Sequence, residues 1–174
     1  MKKLLFIPGS LRAASSSRAT IHTLANRLHD QALCEIADPG QLPLYNADLE
    51  AIPEVVAFCQ QIKQADGLVF VTPEYNYSIP GVLKNAIDWA SRPALSSVFK
   101  DKPCFIISVS GGALGGVRAQ AHLKYILNGM LAHVFVCPEI VIPSANQKVA
   151  DGHLTDESII SFSREKLLAF LTSL

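Results

Sequence analysis

The chain has 174 residues, 49% hydrophobic and 17% charged, which sets it apart from disordered chains and fits one domain of roughly 150 residues better than two. Fifteen Lys and Arg offset fifteen Asp and Glu, so no net field draws the protein to nucleic acid or anionic lipid, and neither is an expected partner. The opening apolar run, Leu4 to Ile7, stops at Pro8, short of the roughly 7–15 residues of a secretory h-region and the ~18 of a membrane span, so the expected location is the cytoplasm.

In chain order, five short apolar runs read as strands: Leu4–Ile7, Leu33–Ile36, Leu68–Val71, Cys104–Ile107 and His133–Val136. Three are apolar throughout, as suits strands buried on both faces. Between them apolar residues recur at helical spacing. Ile21, Leu24, Ala25 and Leu28 mark one stripe, Val55, Phe58, Cys59 and Ile62 a second, and Val82, Ala86, Trp89 and Ala90 a third. Leu123, Ile126, Leu127 and Met130 mark a fourth, and Ile160, Leu167, Leu168 and Leu171 a fifth after an Asp156-Glu157 start. The alternation predicts a parallel sheet covered on both faces with right-handed connections, its ligand site beyond the carboxyl ends of the strands. Cys34, Cys59, Cys104 and Cys137 form no C-x-x-C, and the five histidines show no metal-binding spacing. Reduced, buried thiols and isolated histidines are expected, with no metal.

Three loops after strands carry the candidate chemistry. Gly9 to Ser17 offers a turn glycine, four serines and Arg12 ahead of a helix start, which suits a phosphate group, although a serine could simply cap the helix. Thr72 to Gly81 has two prolines, Tyr75, Tyr77 and Ile79 for flat apolar surface, and Asn76 for the edge of a heteroaromatic ring. Trp89 beyond it reads as core or interface. Ser108 to Gly116 has four glycines, which let the backbone approach a ligand closely or merely make a hinge.

The segments GSLRAASSSR, PEYNYSIPGVLKNAIDWASR and SGGALGGVRAQAHL, with LPLYNADL at 42–49, resemble the NADPH-dependent FMN reductase family, most of all its bacterial quinone and chromate reductases. The resemblance spans nearly the whole chain. It implies one flavodoxin-like domain over 1–174, an α/β three-layer sandwich whose five-stranded parallel sheet has the order 2-1-3-4-5 with helices on both faces. It also implies bound FMN, with NADPH or NADH as co-substrate. Carried over by position, Ser10, Arg12, Ser15 and Ser17 would hold the phosphate, with Leu11 and Ser16 of the same loop also binding the cofactor. Pro73, Glu74, Tyr75 and Asn76 would line the isoalloxazine, and Ser110 and Gly111 would complete the ring site. Relatives often have Asn at position 17 and a bulkier residue at 111. The resemblance further implies a homodimer or homotetramer, with Tyr77, Arg118 and Glu139 at positions that meet across subunits.

The flavin would carry the hydride chemistry, so no catalytic side chain is assigned, and the acceptor would be a quinone or another small molecule reduced in a ping-pong scheme. Arg18 and Arg118 are candidates for a 2′-phosphate. Two other readings compete: a reductase that uses free FMN as a substrate, and a flavodoxin-like electron carrier, against which the zero net charge weighs.

Overall fold

The computed structural model describes residues 1–174. Five parallel strands, β1 (Lys2–Pro8), β2 (Ala32–Ile36), β3 (Gly67–Pro73), β4 (Pro103–Val109) and β5 (His133–Val134), lie in the order β2-β1-β3-β4-β5. This is the order that the family resemblance implies.

Residues of the three central strands alternate between two cores because successive side chains leave a strand on opposite faces. Leu5, Ile7, Leu68, Phe70 and Ile106 point to one face, where α2 (Pro53–Gln64), α3 (Gly81–Ala90) and α4 (Val117–Gly129) supply Phe58, Ile62, Leu83, Leu123 and Leu127. Leu4, Phe6, Val69, Val71, Phe105 and Ile107 point to the other. There α1 (Ser16–Arg27) and α5 (Glu157–Ser173) supply Ile21, Leu24, Ile160, Leu167 and Phe170. Burial on both sides explains the unbroken apolar runs. All five helices fall on the stripes read from the sequence.

The fifth strand is shorter than its apolar run. After Phe135 donates its N–H to the Cys104 carbonyl at 2.8 Å, Val136 turns out to 94% exposure. Pro138 has no N–H with which to continue the ladder. The chain rejoins the sheet as β6 (Ile140–Ile142), parallel to Ile107–Val109 of β4. A small hairpin, β7 (Val149–Ala150) and β8 (His153–Leu154), turns through Asp151 and Gly152, both at positive φ, and packs on α1.

The strand order reverses between β1 and β3, where the connections leave in opposite directions and a crevice opens at the carboxyl ends. Gly9 at the end of β1 is required there. A Cβ on it would lie 2.8 Å from the Cα of Thr72 in β3, so only glycine lets the two strand ends close up before their loops diverge.

Candidate functional site

The crevice is bounded by the loops after β1, β3 and β4. The first loop ends in the N-cap of α1: the Ser15 hydroxyl accepts from the Arg18 N–H at 3.2 Å and lies 3.2 Å from the Ser17 hydroxyl. The N–H groups of Ser16 and Ser17 have no partner in the chain, as the first turn of a helix leaves them. Ser10, Ser15 and Ser17 are buried beneath this turn. Arg12 borders the crevice, and its guanidinium makes no hydrogen bond or ion pair in the chain. Unpaired donors, a helix N-terminus and a cation without a partner are together suited to an anion.

The second loop makes a tight hairpin. Tyr75 and Ser78 exchange both main-chain hydrogen bonds at 3.0 Å, and the central residues Asn76 and Tyr77 have φ of 49° and 68°, as in a type I′ turn. Pro73, Glu74 and Tyr75 border the crevice. Tyr75 and Tyr77 are exposed, whereas Ile79 folds back into the core at 8% exposure and adds nothing to the flat apolar surface expected of it. Trp89 is also core, its indole N–H donating to the Pro43 carbonyl at 2.7 Å.

Glu74 faces away from the loop that carries it. One carboxylate oxygen accepts from the backbone N–H of Arg118 at 3.0 Å and Ala119 at 3.3 Å, and the other accepts from the Arg118 guanidinium at 3.0 Å. The helix start needs this cap because its own N-cap, Gly116, has no side chain. Arg118 also stacks over the Tyr77 ring at 4.1 Å, and His122 bonds the Ser78 hydroxyl at 3.0 Å. The Glu74 charge is thereby taken up by α4, which leaves Arg12 to set the sign of the crevice.

The third loop starts at Ser110 and bends through Gly115 and Gly116, with φ of 60° and 86°. Ser110 and Gly111 face the crevice, together with Val109. A fourth segment, the turn Ala145–Gln147 after β6, brings Ala145 and Asn146 to the same place. The sequence reading stopped at three loops and missed it, since the interrupted edge strand hid where the chain returns to the sheet.

Ten of the twelve residues expected to bind the cofactor therefore border one crevice of about 170 Å³. Leu11 and Asn76 stand outside that lining. Leu11 is half exposed and rests against Gly40, and Asn76 sits at the exposed hairpin tip. Of the two arginines named for a 2′-phosphate, Arg118 is held by Glu74, whereas Arg18 lies 3.9 Å from Asp38 without a hydrogen bond to it, its buried Nε unpartnered. Glu139 pairs with Lys124 at 2.6 Å within the chain. A larger groove of about 670 Å³ lies between the 45–49 segment, α2 and the end of α3, lined mainly by apolar side chains such as Leu49, Val55 and Val98, with Gln60, Lys63 and Arg92 among them.

A family model described as NADPH-dependent FMN reductase matches residues 2–147. The chain is 43% identical over 171 residues to an NAD(P)H-dependent FMN reductase of Pseudomonas aeruginosa, covering 96% of this chain and 92% of that protein. It is 43% identical over 158 residues to a 2-hydroxy-1,4-benzoquinone reductase of a Burkholderia species, covering 89% and 86%. Among solved structures, a flavoenzyme NAD(P)H:acceptor oxidoreductase from Paracoccus denitrificans superposes with a TM-score of 0.89 at 35% identity, over 99% of this chain and 96% of that one. With sequence, strand order and fold in agreement, the chain belongs to the NADPH-dependent FMN reductase family, oxidoreductases of flavodoxin-like fold that work with FMN and NAD(P)H.

Proposed function

We propose that the crevice holds FMN as a prosthetic group, with its phosphate at the Ser10–Ser17 loop and its ring against Pro73–Asn76 and Ser110–Gly111. The protein then reduces quinones or other small acceptors with NAD(P)H in a ping-pong scheme. The observation that carries this reading is Arg12, an unpaired cation beside the unpartnered amides of Ser16 and Ser17. A phosphate monoester matches that donor set in charge and geometry. The enclosed 170 Å³ is smaller than the roughly 300–1,000 Å³ that buries a whole drug-sized ligand. One end of the ligand is therefore gripped and the other lies open at the rim, where two substrates can reach it in turn.

Bound FMN supplies hydride acceptance at N5 and two-electron transfer to an acceptor, so the reaction needs no side-chain nucleophile or acid–base pair. The chain's own part is positioning. Arg12 and the α1 amides fix the anionic end. The hairpin at Tyr75–Ser78, anchored through Glu74 to α4, sets one wall, and the backbone at Ser110 and Gly111 offers donors at the other.

Purification in the absence of added flavin tests the reading. A yellow protein that releases FMN on denaturation, and that NADPH or NADH bleaches anaerobically without acceptor, is the expected result. A colourless protein that turns over only with added FMN would assign the flavin as a substrate instead.

We also propose that the chain works as a homodimer or homotetramer. Leu44, Tyr77, Leu95, Tyr125 and Val136 are each more than three-fifths exposed, and the apolar groove beside Leu49 offers further surface that a second copy of the chain would cover.

A further inference from the structure

We infer that Asn146 is a further flavin-contacting residue, and that Gly111 is glycine so that the Asn146 carboxamide can lie where it does. The inference rests on the flavin assignment made above. A Cβ built on Gly111 would meet Asn146 Nδ2 at 2.8 Å, and the next two nearest atoms, at 3.5 and 3.8 Å, belong to the same carboxamide. Gly111 has no need of glycine's backbone freedom, since its φ lies outside the left-handed region. The missing side chain thus leaves the space that the Asn146 carboxamide occupies.

The placement is fixed by the main chain. Ser110 N–H donates to the Ile142 carbonyl at 3.0 Å, Ala145 N–H to the Ser110 carbonyl at 2.9 Å, and Ser144 N–H to the Gly112 carbonyl at 3.0 Å. These three bonds dock the turn after β6 onto the glycine loop, so Asn146 cannot drift relative to Ser110. Its carboxamide has no hydrogen-bond partner in the chain and faces the crevice. An amide carries two donors and an acceptor, a set that pairs with the alternating carbonyl and N–H edge of a flavin ring. Held by its backbone and free at its tip, Asn146 adds a hydrogen-bonding side chain to the crevice wall beside Gly111.

The test is flavin affinity rather than turnover, measured by fluorescence titration of flavin-stripped protein with FMN and with riboflavin, which lacks the phosphate. One neutral hydrogen bond to the ring corresponds to roughly three- to tenfold in affinity. Asn146→Ala is expected to weaken both ligands by the same factor. Arg12→Ala should weaken FMN and leave riboflavin unchanged. Gly111→Ala should reproduce the Asn146→Ala loss by pushing the carboxamide aside, and should cost nothing further in the double variant. Asn146 is exposed and makes no internal hydrogen bond, so these variants should melt as the wild type does. Unchanged affinity in Asn146→Ala, with Arg12→Ala still selective for FMN, would overturn this inference alone. So would a Gly111→Ala loss that persists in the double variant, because the added methyl would then strike the ligand itself. Wild-type protein that binds neither flavin would overturn the flavin assignment, and this inference with it.

Discussion

Glu74 and Arg118, 44 residues apart, meet twice: the carboxylate accepts from the backbone N–H of Arg118 at 3.0 Å and again from its guanidinium at 3.0 Å. The first contact caps α4, and the second is an ion pair whose arginine is 39% exposed. Glu74→Ala removes both and should destabilise the protein by about 1–2 kcal/mol, most of it the lost cap. Arg118→Ala keeps the cap and removes the partly solvated pair together with the stacking on Tyr77, each worth under about 1 kcal/mol at an exposed site. Urea midpoints of the two variants separate the contributions. Equal losses would mean that the ion pair, not the cap, holds the hairpin.

Arg12 should dominate phosphate binding because nothing in the chain neutralises it. Arg12→Ala should weaken FMN by about 1.5–3 kcal/mol, or roughly ten- to a hundredfold, the range for a charge-assisted hydrogen bond. Arg12→Lys keeps the charge and loses the planar fork, so its loss should be smaller but measurable. Equilibrium titration in dilute protein reads both. Affinity unchanged in Arg12→Ala would move the anion site elsewhere.

What the sequence could convey depended on whether a residue's role was local. Two-face burial leaves continuous apolar runs, so the central strands at Leu4–Ile7, Leu68–Val71 and Cys104–Ile107 were legible as written. The serine loop was legible because capping and anion binding both act within one helical turn. Glu74 reads as a pocket residue in its own loop, yet its partners are 44 and 45 residues away. Spacing along a chain carries no trace of such a contact. Gly9 and Gly111 are similar, since each is small for the sake of a distant neighbour, Thr72 or Asn146. The Asp151-Gly152 hairpin, by contrast, carried a plain turn signal, but the strands it joins are too short to register as runs.

Burial pushes the Cys104 thiol from its ordinary 9.0 up to about 12, and Lys102 opposes this only slightly. Between those values the folded protein keeps a proton that the unfolded chain has lost, so stability is fully present below pH 9 and falls as pH rises towards 12. The slope from one such group is at most about 1.4 kcal/mol per pH unit. Cys34, raised to about 11 by burial, acts in the same direction. Cys104→Ala should be less stable at neutral pH, having left a small cavity, yet should show a flatter alkaline decline. Denaturation at pH 8 and pH 10.5 checks this, and parallel declines in both proteins would show that the thiol does not hold its proton.

Self-association should appear as a scattering mass of two or four times the 18.8 kDa chain across micromolar concentrations. Val136→Glu and Leu44→Glu place charges on two of the most exposed apolar positions. At least one of them should lower the mass, because a charge buried without a partner is strongly unfavourable at an interface. A single-chain mass for the wild type would remove the oligomer from the account.

The proposed kinetic scheme turns on the crevice. If FMN is bound there as proposed, its ring end reaches the rim beside the exposed Tyr75, and NAD(P)H and the acceptor would share that rim. If they cannot occupy it together, NAD(P)+ leaves before the acceptor enters. Double-reciprocal plots at several fixed acceptor concentrations should then be parallel, and stopped-flow reduction by NADPH should be complete before any quinone is added. The oxidised coenzyme product should compete with the acceptor for the reduced enzyme. Intersecting lines would require both substrates to be bound at once and would overturn the ping-pong reading. Glu74→Ala, which removes one of the ties between the Tyr75–Ser78 hairpin and α4 and leaves the Tyr77–Arg118 and Ser78–His122 contacts, is the variant in which such a change of pattern should be sought.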